Sequence, residues 1–154
     1  YLRSVLAGLV DVGISEHTRK VCAMPYQFSS LTPNLIVADV ERSLAFYRDV
    51  LGFTVEDTVP DAPPYVFAIV RSGPVELFLN SPGPATEEYP VLGGRPIGGT
   101  LTLFIKVAGI RAAYEALKRQ LNVVMPREKK WYGPTEFAFT DPDGYVITFA
   151  EQEP

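Results

Sequence analysis

The chain has 154 residues, 47% of them hydrophobic and 21% charged, with a formal net charge of −4. That is enough apolar material for one packed core and ordinary charge for a folded domain, and the acidic balance argues against nucleic acid or an anionic membrane as partner. A single cysteine, Cys22, allows no internal disulfide, and no apolar run approaches the ~20 residues of a membrane helix, so the expected location is the cytoplasm.

Residues 1–29 read as an N-terminal extension. Leu2, Val5, Leu6, Leu9 and Val10 follow the i, i+3, i+4, i+7, i+8 stripe of an amphipathic helix, which Gly13 would end. No small-residue cleavage pattern follows, so a secretion signal is not expected. Met24 stands just before the first strand pattern. It is either a native start, with an extension upstream, or part of a chain with a genuine accessory helix.

From residue 30 the sequence repeats. A first unit, 30–80, and a second, 100–152, align with Thr32 against Thr102, an offset of 70 residues. Leu35 and Val37 match Ile105 and Val107 in an alternating strand pattern. Val40, Leu44, Tyr47 and Leu51 match Ile110, Tyr114, Leu117 and Leu121, each set on one helical stripe. Asp39 is a good N-cap for the first helix and Gly109 a weaker one for the second. Gly52 and Asn122 are the matching candidates for a left-handed C-terminal cap. Strand material follows each helix: "FTVEDTV", "YVFAIVRS" and "VELFLN", then "NVVMP", "TEFAFT" and "YVITFAE". Each unit therefore reads βαβββ, and the fold class is α+β, with two such repeats forming a curved sheet around a central cavity. By strand parity Pro33, Leu35 and Val37 face the helix. Thr32, Asn34, Ile36, Thr102, Phe104 and Lys106 face the cavity.

Residues 81–99, rich in Pro and Gly, join the modules and are expected to lie over one end of the sheet. Near the end, "DPDG" at 141–144 has the composition of a tight turn. In the strand after it, Thr148 is a polar residue where the pattern otherwise suits a core.

"VADVERSLAFYRDVLGF" together with "EFAFTDPDGYVITFAE" resembles the vicinal oxygen chelate superfamily of glyoxalases, extradiol dioxygenases and bleomycin-resistance proteins, over residues 30–151. The resemblance implies metal-ligand positions at Thr32, Glu76, Thr102 and Thr148. Three of these are threonines, poor donors beside imidazole or carboxylate, and the only histidine, His17, lies in the extension. No metal and no cofactor are therefore expected. Glu76 is the one candidate for catalysis. It reads either as an acceptor or base in the cavity or as a relic bonded to the threonines. Asp141 and Asp143 read as turn residues, and Asp57, Asp61, Glu87, Glu88, Arg127, Lys129 and Lys130 as solvated surface.

The expected ligand-binding set is Thr32, Asn34, Phe67, Glu76, Phe78, Thr102, Phe104, Trp131, Tyr132 and Thr148. Trp131 and Tyr132 would stack on a planar or cationic group at the cavity mouth. What the resemblance implies is a metal-free binding protein, a homodimer that sequesters a small molecule such as a cationic, aromatic antibiotic. The alternative is a lyase, isomerase or dioxygenase-like enzyme that uses Glu76 with an atypical metal site, drawing on Glu136, Glu56 or Asp57. A third reading is a sensor with the extension as docking helix. Whether the modules pair within a chain or swap between chains stays open.

Overall fold

The computed structural model describes residues 27–152. The amphipathic stripe at Leu2–Val10, His17, Cys22 and Met24 lie outside them. The chain divides into a unit of residues 1–31 and a unit of residues 32–154. In the first unit residues 27–31 are exposed and without regular structure; the second holds all the elements described below.

The first module runs β1 (Asn34–Ile36), α1 (Val40–Ala45), β2 (Thr54–Val59), β3 (Phe67–Ser72) and β4 (Val75–Asn80). A connecting segment carries α2 (Pro82–Glu88) and a 3₁₀ turn (Pro90–Leu92). The second module runs β5 (Thr102–Lys106), α3 (Ile110–Leu117), β6 (Asn122–Lys129), β7 (Thr135–Thr140) and β8 (Val146–Glu151). The two sheets have the same plan, with orders β1-β4-β3-β2 and β5-β8-β7-β6. In each, the first strand pairs parallel with the last and the remaining pairs are antiparallel. The repeat legible at an offset of 70 residues is thus a repeat of topology.

Strand parity decides what each sheet buries. Leu35, Val37, Ala68, Val70, Leu77 and Leu79 are buried on the helix-bearing side of the first sheet. Leu103, Phe137, Phe139, Ile147 and Phe149 do the same in the second. These residues form one continuous core with Val40, Leu44 and Tyr47 of the first helix and Ile110 at the start of the second, and the ring of Phe46 meets Phe139 across the modules at 6.4 Å. The modules therefore join within the chain through their helix-bearing faces. The opposite faces stay open: Asn34, Thr102 and Lys106 are exposed, and Phe104 keeps 55% of its surface in solvent.

Four local readings need correction. The first helix is not one α-helix to Leu51: α1 widens into a π turn over Phe46–Val50, closed by Leu51 N–H to Phe46 O at 3.2 Å. Gly52 takes the left-handed conformation at φ 75°, but Asn122 does not; among the described residues every positive φ belongs to glycine, and Asn122 opens β6. The linker is not plain loop, since Pro82 starts α2 at the first position, where a missing N–H costs nothing. β6 does not stop at Pro126 but runs on to Lys129. It is an edge strand with shifted register there, where a proline is tolerated.

The helix caps come from unequal sources. Asp39 accepts from Arg42 N at 2.9 Å, as its residue type predicts. Gly109 has no side chain to offer, and Glu151, at the end of β8, supplies the cap instead. Its carboxylate accepts from Gly109 N at 2.8 Å and Ile110 N at 2.7 Å. Those two bonds, led by the one from Ile110, hold the Glu151 carboxyl below the usual range.

Candidate functional site

On the open face of the first sheet, β4 presents Glu76, Phe78 and Asn80, and β3 presents Phe67, Ile69 and Arg71. Register places Arg71 opposite Glu76 and Ile69 opposite Phe78. Phe67 and Phe78 meet edge to face at 5.3 Å, and Asn34 stands beside Phe78 in the ladder. Thr32 Oγ1 donates to Glu76 Oε1 at 2.6 Å. The other carboxylate oxygen pairs with Arg71 Nη2, while Arg71 Nε donates to Glu56 Oε1 at 2.6 Å. The bond to Glu56 raises the Arg71 pKa above its ordinary value. Glu76 is therefore not isolated: it bonds one of the three threonines named for it. It touches Thr32 alone among them and carries a guanidinium as counter-ion. Arg71 and its bridge to Glu56 were missed in the sequence; the alternation of "FAIVRS" puts Arg71 on Glu76's face only once the hairpin register is known.

The second sheet's outer face carries Thr102, Phe104 and Lys106 on β5, Thr148 and Ala150 on β8, and Glu136 and Ala138 on β7, of which Glu136, Ala138 and Ala150 are buried. Phe104 is the direct neighbour of Thr148, and Thr148 of Ala138. Phe104, Lys106, Pro134, Ala150 and Gln152 line a pocket of about 420 Å³ at one end of this face. Phe104 is thus a surface of the site and not core. Trp131 and Tyr132 lie in the turn between β6 and β7, 69% and 46% exposed, their rings edge to face at 5.3 Å. Tyr132 donates to the buried Glu136 at Oε1, 2.9 Å away. Desolvation of the hydroxyl and then this bond push the Tyr132 pKa up.

The candidate residues thus fall into two groups. Thr32, Asn34, Phe67, Glu76 and Phe78 share the first open face. Thr102, Phe104 and Thr148 share the second, with Trp131 and Tyr132 at its edge. The four positions with ligand character in the family do not fit a divalent ion of that kind. Three are neutral hydroxyls, and the carboxylate already binds Thr32 and Arg71. Among the described residues no three of His, Cys, Asp or Glu are placed to share an ion, so Glu136, Glu56 and Asp57 do not complete a set with Glu76.

The two stretches that carry the resemblance interlock. Asp143 Oδ2 accepts from Ser43 Oγ at 3.2 Å and its Oδ1 from Arg42 Nη2 at 2.8 Å and Ala38 N at 3.1 Å. Asp141 and Asp143 therefore do more than shape their turn: they hold the first module's helix. Tyr145, just past the turn, donates to Ile36 O at 3.0 Å.

Comparison with known proteins agrees with this architecture. The family model "Glyoxalase/Bleomycin resistance protein/Dioxygenase superfamily" matches residues 27–149. A bleomycin resistance protein of Geobacillus stearothermophilus is 31% identical over 133 residues, 78% of this chain and 94% of that protein. A member of the superfamily from Sphaerobacter thermophilus superposes with a TM-score of 0.65 at 26% identity, covering 81% of this chain and 98% of its own. Another, from Nocardioides, reaches 0.70 at 23% identity over 85% and 87% of the two chains. Family model, relatives and fold coincide over both modules, and the chain belongs to the Glyoxalase/Bleomycin resistance protein/Dioxygenase superfamily.

Proposed function

We propose that the protein is a metal-free binding protein that sequesters a small aromatic ligand of the antibiotic type on its open sheet faces, with no reaction. The observation that supports this reading is the state of Glu76: the one carboxylate among the four ligand positions accepts from Thr32 and Arg71, and among the described residues it is not grouped with two further His, Cys, Asp or Glu side chains. Its relatives' name, bleomycin resistance protein, points to the same class of ligand. Phe67, Phe78 and Phe104 offer ring surface, and Trp131 and Tyr132 offer stacking at an edge. Glu56 and Glu76 share the single cation Arg71, so this end of the first face keeps a net negative charge and favours a cationic ligand.

The open faces also argue for a homodimer. A half-exposed Phe104 and the half-buried Phe67, Ile69 and Phe78 would be covered if the open sheet of a second copy closed over them. The lone cysteine and the absence of any need for a disulfide are compatible with the cytoplasm.

The test is a native mass spectrum after incubation with Ni²⁺, Mn²⁺ and Zn²⁺, followed by titration with bleomycin read by the fluorescence of Trp131, the only tryptophan. A metal-free dimer with saturable quenching is the expected result. Stoichiometric metal removed by a chelator overturns the reading in favour of an enzyme that uses Glu76 with an atypical metal site.

A further inference from the structure

The connecting segment builds a further cavity, which includes none of the ten residues of the expected ligand-binding set and takes Ile36 alone from the cavity-facing side of β1. It measures about 310 Å³, at the lower end of the about 300–1,000 Å³ typical of small-molecule pockets. Ile36, Leu92, Ile97, Leu101 and Tyr145 give it apolar walls from the linker and from both modules, and Arg95 is its only charged lining residue. Arg95 donates from Nε to Val91 O at 3.0 Å, which orients the guanidinium and leaves its two terminal nitrogens free; among the described residues it has no carboxylate partner. Thr86 does not compete for a ligand, because its hydroxyl donates within α2 to Pro82 O and Gly83 O at 2.8 and 2.9 Å.

Three of its walls are fixed by contacts. Tyr145 is tied to Ile36 O, and Ile97 packs against the core. Gly98, at φ 75°, passes so close to the turn that a Cβ there would sit 2.6 Å from Asp143 O. Walls fixed in this way keep the pocket open without a ligand.

We propose that this pocket binds a compact apolar monocarboxylate, its apolar body against Ile36, Leu101 and Tyr145 and its carboxylate bridged by the two terminal nitrogens of Arg95. A planar two-pronged guanidinium matches a carboxylate's geometry, and an unpaired cation beside apolar walls selects an anion over an amine of the same shape. The proposal does not depend on what fills the open faces.

The probe is 2-naphthoate, titrated into the full chain by calorimetry, with 2-naphthylmethylammonium as its cationic counterpart. One naphthoate per chain is expected, with no saturable binding of the amine. Arg95→Gln should weaken naphthoate about tenfold or more, and Arg95→Glu should reverse the preference toward the amine. Arg95 is exposed, so both variants should keep the melting temperature of the unaltered chain. Nuclear Overhauser contacts from the naphthoate ring should reach the Ile36 methyls. No saturable naphthoate binding, binding that Arg95→Gln leaves unchanged, or contacts to Phe104 in place of Ile36 would each overturn the proposal.

Discussion

Tyr47 donates its hydroxyl hydrogen to Asp141 Oδ2 at 3.0 Å, tying the helix of the first module to the last turn of the second. Asp141 also accepts from the backbone of Asp143 and Tyr145 at 3.0 and 2.9 Å, so one carboxylate shapes the turn and anchors it. Ser43 and Asp143 make the neighbouring contact. The co-occurrence of "SLAFY" and "DPDG" in one chain thus has a mechanical meaning: each motif carries the other's hydrogen-bond partner.

Tyr47→Phe should lower stability by about 1–3 kcal/mol, since it removes a buried bond to a charged acceptor. Burial, and then the charge of Asp141, raise the Tyr47 pKa far above the ordinary tyrosine range. The folded state therefore resists ionisation that the unfolded chain undergoes from about pH 10. The stability Tyr47 contributes is intact below that pH and is lost as pH climbs through and beyond it. The gap between the two proteins in urea melts should narrow between about pH 10 and 12.

Asp143→Ala should cost about 1.5–3 kcal/mol, because Ala38 N, Arg42 and Ser43 lose their shared acceptor. With its side chain 4% exposed, no water replaces it easily. Thermal unfolding would report this; a change within about 0.5 kcal/mol, the range of a surface substitution, would show that the clamp is not an energetic one.

Gly98→Ala should destabilise by about 1–3 kcal/mol. The new methyl meets Asp143 O at 2.6 Å, and the positive φ is strained for any side chain. Gly99→Ala, also at positive φ but with open space around it, should show only the backbone part of that cost. Equal losses in the two melting curves would remove steric contact as the cause.

Glu151→Ala should flatten the acid limb of the stability curve. The Glu151 carboxyl, held low by the Ile110 and Gly109 N–H groups, adds stability above the ordinary glutamate pKa of about 4.3. That contribution disappears as pH falls through the lower folded value. Melting temperatures measured from pH 6 down to pH 2 would show a steeper decline in the unaltered chain than in the variant.

Glu76→Gln should leave stability within about 1 kcal/mol, as expected for a partly solvated ion pair. A cationic ligand on the first face should bind about fivefold more weakly, through loss of the local negative charge. Loss of a measured turnover would instead make Glu76 the centre of a reaction.

What the sequence by itself determined is the apolar side of each element, which depends on short-range periodicity. Leu35 and Val37 alternate with Asn34 and Ile36, and Val40, Leu44 and Tyr47 recur at helical spacing, so the side that each element buries follows from order along the chain. Copying the pattern 70 residues later predicted the second sheet. Only the tertiary structure decided which distant groups meet. Arg71 became Glu76's counter-ion through hairpin register, Glu151 capped a helix 41 residues upstream, and Asp143 reached Ser43 across 100 residues. It also decided that the sheets join by their helix-bearing faces, leaving Phe104 in the open and Arg95 beside an apolar pocket. Local pattern specifies which face is apolar, but a carboxylate accepts from any donor the fold brings within reach, and that choice is made by packing the whole chain.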